Sequence, residues 1–169
     1  MKAEELKALQ APLKDKYRAE PEAALITLKA RGRLGEGITC KVDTGRALAE
    51  AGLHPATGGD GLSLCSGDML LEALVACAGV TLRAVATAIG VEVRDGTVSA
   101  EGDLDFRGTL AVAKDAPVGL KNIRLHFQLD TDAGEDQLQS LLKLTERYCV
   151  VYQTLRNSPE MTVSYSTAE

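Results

Sequence analysis

Residues 68–89 have the sequence DMLLEALVACAGVTLRAVATAI, and this stretch decides the fold. Sixteen of its twenty-two residues are apolar, and its only charges are those of Asp68, Glu72 and Arg83. A helix that is apolar on almost every side is buried in a protein core or spans a membrane. Three charges and many small residues within about one bilayer thickness disfavour the membrane. We therefore predict a long, central, buried helix with Cys77 on its apolar side.

The segments on both sides of this helix predict strands and one further helix. Alternating apolar and polar residues predict a hairpin before the helix and three more strands after it, and helical spacing returns near the C-terminus. The predicted hairpin covers residues 23–34 and 38–43, the later strands lie within 91–108, 120–132 and 161–166, and the further helix covers 134–156. Because strands and helices do not alternate regularly, the fold class is α+β.

The 169 residues fit one main domain. We predict an N-terminal helical extension over residues 1–20 and a single domain over 21–169. The extension is polar and amphipathic, and we expect Pro12 to interrupt its helix. It lacks the apolar run of a secretory signal, so we expect a cytoplasmic protein.

Composition and motifs disfavour several classes of partner. The net charge of −5 argues against a nucleic acid partner. The sequence contains no dinucleotide-binding glycine motif and no Walker motif, so we predict no nucleotide cofactor. Four cysteines without a CxxC pair and two histidines do not make a structural metal site. We accordingly predict no cofactor, no metal and no membrane partner.

The cysteines are the candidate reactive groups. In a reducing compartment a disulfide between any of them would be transient. A buried cysteine usually packs as a small hydrophobic residue, and reactivity requires a lowered thiol pKa. Cys77 lies about nine residues into its helix, beyond the reach of the helix dipole, so a cation from elsewhere is needed. The predicted hairpin tip offers Arg31 and Arg33, whereas Arg83 lies on another side of the helix.

Asp68 is a candidate for orienting that arginine. Nine helical residues separate it from Cys77 by about 13 Å, so the two side chains cannot touch. The alternative role is a carboxylate in the first helical turn, following a possible N-cap at Ser66.

Two motifs resemble those of the OsmC/Ohr family. Residues 54–86, HPATGGDGLSLCSGDMLLEALVACAGVTLRAVA, resemble the family's Gly-rich loop and the long helix that carries its reactive cysteine. Residues 145–155, TERYCVVYQTL, are similar to its second cysteine motif. The resemblance covers roughly residues 23–166. It implies the OsmC-like fold, in which antiparallel sheets wrap around a long buried helix, and an intertwined homodimer with its sites at the interface.

The resemblance also implies the roles of individual residues. Cys77 would be the peroxidatic thiol and Cys149 the resolving thiol. Arg33, or else Arg31, corresponds to the family's arginine on the first hairpin, and Asp68 falls at its acidic position, as in the OsmC-like branch. The implied protein is a cofactor-free, thiol-dependent peroxidase that reduces alkyl or lipid hydroperoxides. Its disulfide would be reduced by an external dithiol, such as a lipoyl system.

The sequence departs from the family pattern near both thiols. Ser66 and Gly67 stand where a proline usually precedes the acidic residue, and Val150 replaces the proline that typically follows the second cysteine. Cys65 is additional, and its reactivity is open.

Two other functions remain open. The same dimer could bind a small apolar ligand without catalysis, its cysteines merely packing. A thiol-dependent hydrolase is the third possibility, although neither His54 nor His126 is an evident general base.

Overall fold

The computed structural model describes residues 3–34, 40–42, 52–62 and 64–167. Its main elements are helices and antiparallel strands. The helices are α1 (Ala3–Ala19), α2 (Ser66–Ile89), α3 (Phe106–Thr109), α4 (Glu135–Tyr148) and α5 (Val150–Arg156). The strands are β1 (Leu25–Leu34), β2 (Cys40–Val42), β3 (Asp95–Asp105) and β4 (Lys121–Asp130).

The four strands form one antiparallel sheet in the order β2-β1-β3-β4. β1 and β3 are paired along most of their length, and Arg33 lies opposite Thr97 in this register. The predicted hairpin and the strands predicted within residues 91–108 and 120–132 are therefore confirmed. The α+β class is also confirmed, with β4 at one edge of the sheet.

The predicted central helix is α2, which begins two residues earlier than Asp68. It packs against β1 and β3 on one side and against α4 and α5 on another. Leu71, Leu74, Val75 and Leu82 are fully buried in this core, together with Val98 of β3. The apolar composition of α2 is thus explained by packing on the sheet and the C-terminal helices.

α2 also has the length and composition of a membrane-spanning helix. Among the described residues it is the one helix that passes this test, and 44% of its apolar window is buried inside the protein. Core helices meet the same criteria, so length and composition alone do not identify a membrane segment.

α1 continues through Pro12, where we had expected an interruption. Its last turn is anchored by Tyr17, which is buried with Phe106 and Leu110 in a second, smaller core. The Tyr17 hydroxyl donates a hydrogen bond of 2.8 Å to the carbonyl of Ala56. α1 therefore packs on the rest of the chain, and the division into residues 1–20 and 21–169 stays a prediction.

Two sequence-based expectations near the C-terminus are wrong. The single helix expected over residues 134–156 is divided into α4 and α5 at Cys149. Residues 161–166, expected to be a strand, lie outside any helix or strand. A strand forms only where a partner offers hydrogen bonds, and within the described residues of one chain no sheet edge pairs with this segment.

Candidate functional site

Cys77 and Cys149 lie in contact where the middle of α2 meets the start of α5. The two side chains interact, so that each shifts the pKa of the other, and both thiols are free. Cys149 is fully buried, whereas Cys77 is partly exposed. Two cysteines that are 72 residues apart in the sequence are thus brought together by the packing of α5 on α2.

The backbone break at Cys149 creates this contact. Cys149 has extended dihedral angles, φ −71° and ψ 105°, and is the N-cap of α5. Its own N–H still donates to the carbonyl of Thr145 at 2.9 Å, and its sulfur accepts the N–H of Tyr152 at 3.5 Å. The break forms although Val150 replaces the family's proline, because the cysteine sulfur caps the new helix.

Several groups around Cys77 offset the effect of burial on the pKa of its thiol. Burial by itself would raise the pKa of Cys77, but the backbone N–H of Val151, the Cys149 thiol, the Thr81 hydroxyl and the N–H of Val150 outweigh burial and lower that pKa. Donors of this kind favour the charged form of a thiol. The arrangement therefore stabilises a thiolate at Cys77.

The pKa of Cys149 is shifted in the opposite direction. Burial raises the pKa of Cys149 to about 11, although the N–H of Tyr152 opposes this shift. The charge on Cys77 also raises it, because two neighbouring anions repel each other. Cys77 is therefore the more acidic thiol of the pair, and Cys149 holds its proton more tightly.

The predicted arginines lie elsewhere in this single chain. Arg31 and Arg33 are exposed on β1, and neither is among the described groups that shift the pKa of Cys77. Arg83 donates a hydrogen bond to the carbonyl of Val93 instead. The role of Arg33 stays a prediction, and the described groups that lower the pKa of Cys77 are backbone amides, the Cys149 thiol and the Thr81 hydroxyl.

Asp68 lies at the beginning of α2, in a different environment. Burial raises the pKa of Asp68 and lowers the pKa of His54, and each opposes the shift of the other through its charge. Burial and the neighbouring charge of Asp68 raise the pKa of Glu72. The neighbours of Asp68 are therefore His54 and Glu72, while its predicted role in orienting an arginine stays a prediction.

The N-cap of α2 is Cys65 and not Ser66, which is the first helical residue. The Cys65 side chain makes no capping hydrogen bond and packs partly buried against the main core. It lines a pocket of about 380 Å³ together with His54, whose ring stacks on Phe106 at 4.8 Å.

Sequence reasoning missed Thr81 and the backbone amides of Val150 and Val151. Thr81 follows Cys77 by four positions, a spacing that places two helical side chains on one face. That signal was present in the sequence. The amides of Val150 and Val151 affect Cys77 only because α5 begins beside α2. No local sequence pattern encodes this position.

An apolar groove lies between α2, β4 and α5. Its volume is about 200 Å³. It is lined by Leu74, Ile123, Leu125, Tyr152, Leu155 and Arg156. No group of three or more His, Cys, Asp or Glu side chains suited to a metal ion occurs in the described parts of the chain.

The sequence model of the OsmC-like protein family matches residues 58–164. An OsmC-like hydroperoxide resistance protein from Jannaschia sp. CCS1 has a similar structure, with a TM-score of 0.63 and 17% sequence identity. That similarity covers 86% of this chain and 96% of the other. An OsmC-like protein from Mycoplasma pneumoniae is similar with a TM-score of 0.55 and 16% identity over 79% of this chain and 86% of the other. No curated protein matches significantly. At these identities the structures show a common fold.

Proposed function

This chain belongs to the OsmC-like protein family, and from that premise we propose that it is a thiol-dependent peroxidase that reduces organic hydroperoxides. The observation that carries the proposal is the contact between two free thiols whose pKa values are shifted in opposite directions. A peroxidatic thiol must be a thiolate, and a resolving thiol must lie beside it. The hydroperoxide resistance protein from Jannaschia, with the same fold, supports the choice of substrate.

The proposed reaction begins with attack of the Cys77 thiolate on the terminal oxygen of a hydroperoxide. The S–O bond forms as the O–O bond breaks, and the alkoxide leaves as an alcohol after taking up a proton. The sulfur of Cys149 then attacks the sulfenic acid, so that the S–S bond forms and water leaves. An external dithiol reduces this disulfide by thiol exchange and is itself oxidised.

The local geometry supports each half of this cycle. The donors from α5 and Thr81 stabilise Cys77 as an anion before attack. The raised pKa of Cys149 keeps it a thiol until the disulfide forms, when its proton leaves with the hydroxyl of the sulfenic acid as water. Since the two side chains interact, each thiol is placed beside the one it would react with. We also propose a cytoplasmic location, because the cycle depends on a reducing dithiol.

We further propose a homodimer, because α2 leaves an apolar stripe uncovered in the single chain. Leu70, Ala73, Cys77, Val80 and Ala84 follow a spacing of three and four residues, and Leu70 and Val80 are 40% and 37% exposed. This spacing is typical of a helix that packs against another helix. A second copy would cover the stripe and narrow access to Cys77.

The C-terminal segment supports the same homodimer. Met161, Val163 and Tyr165 alternate along the chain and are 84%, 96% and 93% exposed. Such an alternating apolar segment is suited to pair with a sheet edge, and β4 offers one. A monomeric mass by light scattering at micromolar concentration would contradict the homodimer.

The experiment that tests the peroxidase combines turnover with intact mass. We expect the wild-type protein to reduce tert-butyl or cumene hydroperoxide in the presence of a dithiol. One equivalent of peroxide should remove two hydrogens, with a disulfide that maps to Cys77 and Cys149. Cys77→Ser should abolish both results. A wild-type protein that loses no free thiol and consumes no peroxide would refute the proposal.

A non-catalytic binding protein is the second candidate, and the apolar groove favours it. In that case Cys77→Ser would bind the apolar ligand as the wild type does, and neither form would consume peroxide. A hydrolase has less support, because in the described structure no histidine is among the groups that shift the pKa of Cys77. His126 is exposed on β4.

A further inference from the structure

The apolar groove has one charged residue among the described residues that line it. Four of the six are leucine or isoleucine, and Arg156 supplies the charge. A groove of this composition is complementary to an amphipathic molecule with a short hydrocarbon part and an anionic group.

Two of the residues that line the groove are near neighbours of the two cysteines along their helices. Leu74 precedes Cys77 by three positions on α2, so the two side chains lie on neighbouring parts of one helical surface. Tyr152 lines the groove and donates its N–H to the sulfur of Cys149. A molecule in the groove would therefore present one end to the thiols.

Arg156 lies farther from Cys149 along α5 than Tyr152 does. It is the last residue of α5, seven positions after Cys149, which corresponds to about 10 Å along a helix. Its side chain is exposed, and among the described residues none forms an ion pair with it. Its charge also complements the dipole at the end of α5, a role that would require no ligand.

We propose that Arg156 determines substrate specificity by binding a carboxylate at the end of the substrate remote from the hydroperoxide. The inference rests on the proposed peroxidase. A guanidinium binds a carboxylate through two parallel hydrogen bonds. The groove's 200 Å³ is smaller than the roughly 300 Å³ at which ordinary ligand pockets begin, so it fits a short or medium chain and not a whole long-chain lipid.

The kinetic test uses two hydroperoxides with the same medium-length chain, one with a terminal carboxylate and the other its methyl ester. We expect Arg156→Gln to raise KM for the carboxylate by about two- to fivefold, the range for an exposed ion pair, with kcat unchanged. KM for the ester should not change. Lys143→Gln is the matched control, because it removes an exposed positive charge from α4 outside the groove.

Equal changes for the acid and the ester, or the same change in Lys143→Gln, would overturn the role of Arg156. Failure of the wild type to reduce either hydroperoxide would instead refute the peroxidase, and a binding test then decides on Arg156 alone.

In the binding test, octanoate should slow the alkylation of Cys77, mapped by peptide mass, more than methyl octanoate does. Arg156→Gln should remove this difference. Equal protection by acid and ester in the wild type would overturn the inference.

Discussion

The middle of α2 stabilises a negatively charged side chain, whereas the beginning of α2 destabilises two of them. In the middle, Cys77 is surrounded by hydrogen-bond donors that lower its pKa despite burial. At the beginning, burial raises the pKa of Asp68 and Glu72, and the charge of Asp68 adds to the effect on Glu72. One helix thus carries a thiol whose anion is stabilised and, about one and a half to two and a half turns earlier, two carboxylates whose ionised form is disfavoured.

The comparison shows where the acidity of Cys77 originates. A helix stabilises anions only within its first turn, so α2 cannot supply this effect at its own centre. The donors come instead from the first turn of α5, whose free N–H groups meet α2 where the chain breaks at Cys149. Thr81 adds a hydroxyl from α2 itself. Cys77 is therefore the more acidic thiol because the first turn of α5 lies beside it in space, although it is far from the start of its own helix.

Among variants that keep Cys77, the largest effect is expected from removing the sulfur of Cys149. Without Cys149 the sulfenic acid of Cys77 has no neighbouring thiol. The multiple-turnover rate of Cys149→Ser should therefore fall by more than about tenfold, while its first turnover should proceed as in the wild type. Dimedone labelling with intact-mass detection should show the trapped sulfenic acid. Cys65→Ser is the matched control and should keep full turnover. A Cys65→Ser variant as impaired as Cys149→Ser would mean that the beginning of α2 takes part in the redox chemistry.

A smaller effect is expected from the hydroxyl of Thr81. Thr81→Val keeps the shape of the side chain but removes a donor to the Cys77 thiolate, which should raise the pKa of Cys77. Alkylation of Cys77 at pH 7 should slow by about three- to tenfold, within the range of about 0.5–1.5 kcal/mol that a typical hydrogen bond contributes. The difference should vanish at high pH, where both proteins are fully ionised. Thr81→Ser should restore the wild-type pH profile, and an unchanged profile in Thr81→Val would contradict this role.

The sequence predicted the parts of the fold that depend on local patterns. The apolar run gave α2, and alternation gave β1 to β4, because burial on one side or all sides leaves a periodic trace. The division between α4 and α5 was missed, since the residues around Cys149 have uniform helical spacing and lack a proline or glycine. Residues 161–166 were assigned to a strand from alternation alone, although a strand also requires a partner edge.

The candidate site was predictable to a similar extent. The two motifs identified Cys77 and Cys149 as a pair, and the structure brings their side chains together. The source of acidity was not predictable, because the amides of Val150 and Val151 carry no side-chain signal. The prediction of Arg33 awaits a test, and its exposed position on β1 leaves it available to a second chain.

The smallest effect is expected at the beginning of α2. Burial and the charge of Asp68 raise the pKa of Glu72, so the folded state binds its proton more tightly than the unfolded state does. The stability that this tighter proton binding contributes is fully present below the pKa of Glu72 in the unfolded state. It is lost as the pH rises through the pKa of Glu72 in the folded state. At pH 7 the ionised Glu72 therefore costs stability, and Glu72→Gln should raise the free energy of unfolding by less than about 1 kcal/mol, since partial exposure screens the charge.

Denaturant unfolding of Glu72→Gln at several pH values measures this gain. The advantage over the wild type should shrink as the pH falls through the carboxylate range, because the protonated Glu72 and the substituted glutamine side chain are both neutral there. Glu92→Gln changes an exposed carboxylate outside α2 and should give no such pH-dependent gain. If Glu72→Gln were destabilising at pH 7 and equal to the wild type at low pH, the ionised carboxylate would be stabilising. The beginning of α2 would then favour negative charge as its middle does, and the contrast between the two regions would be lost.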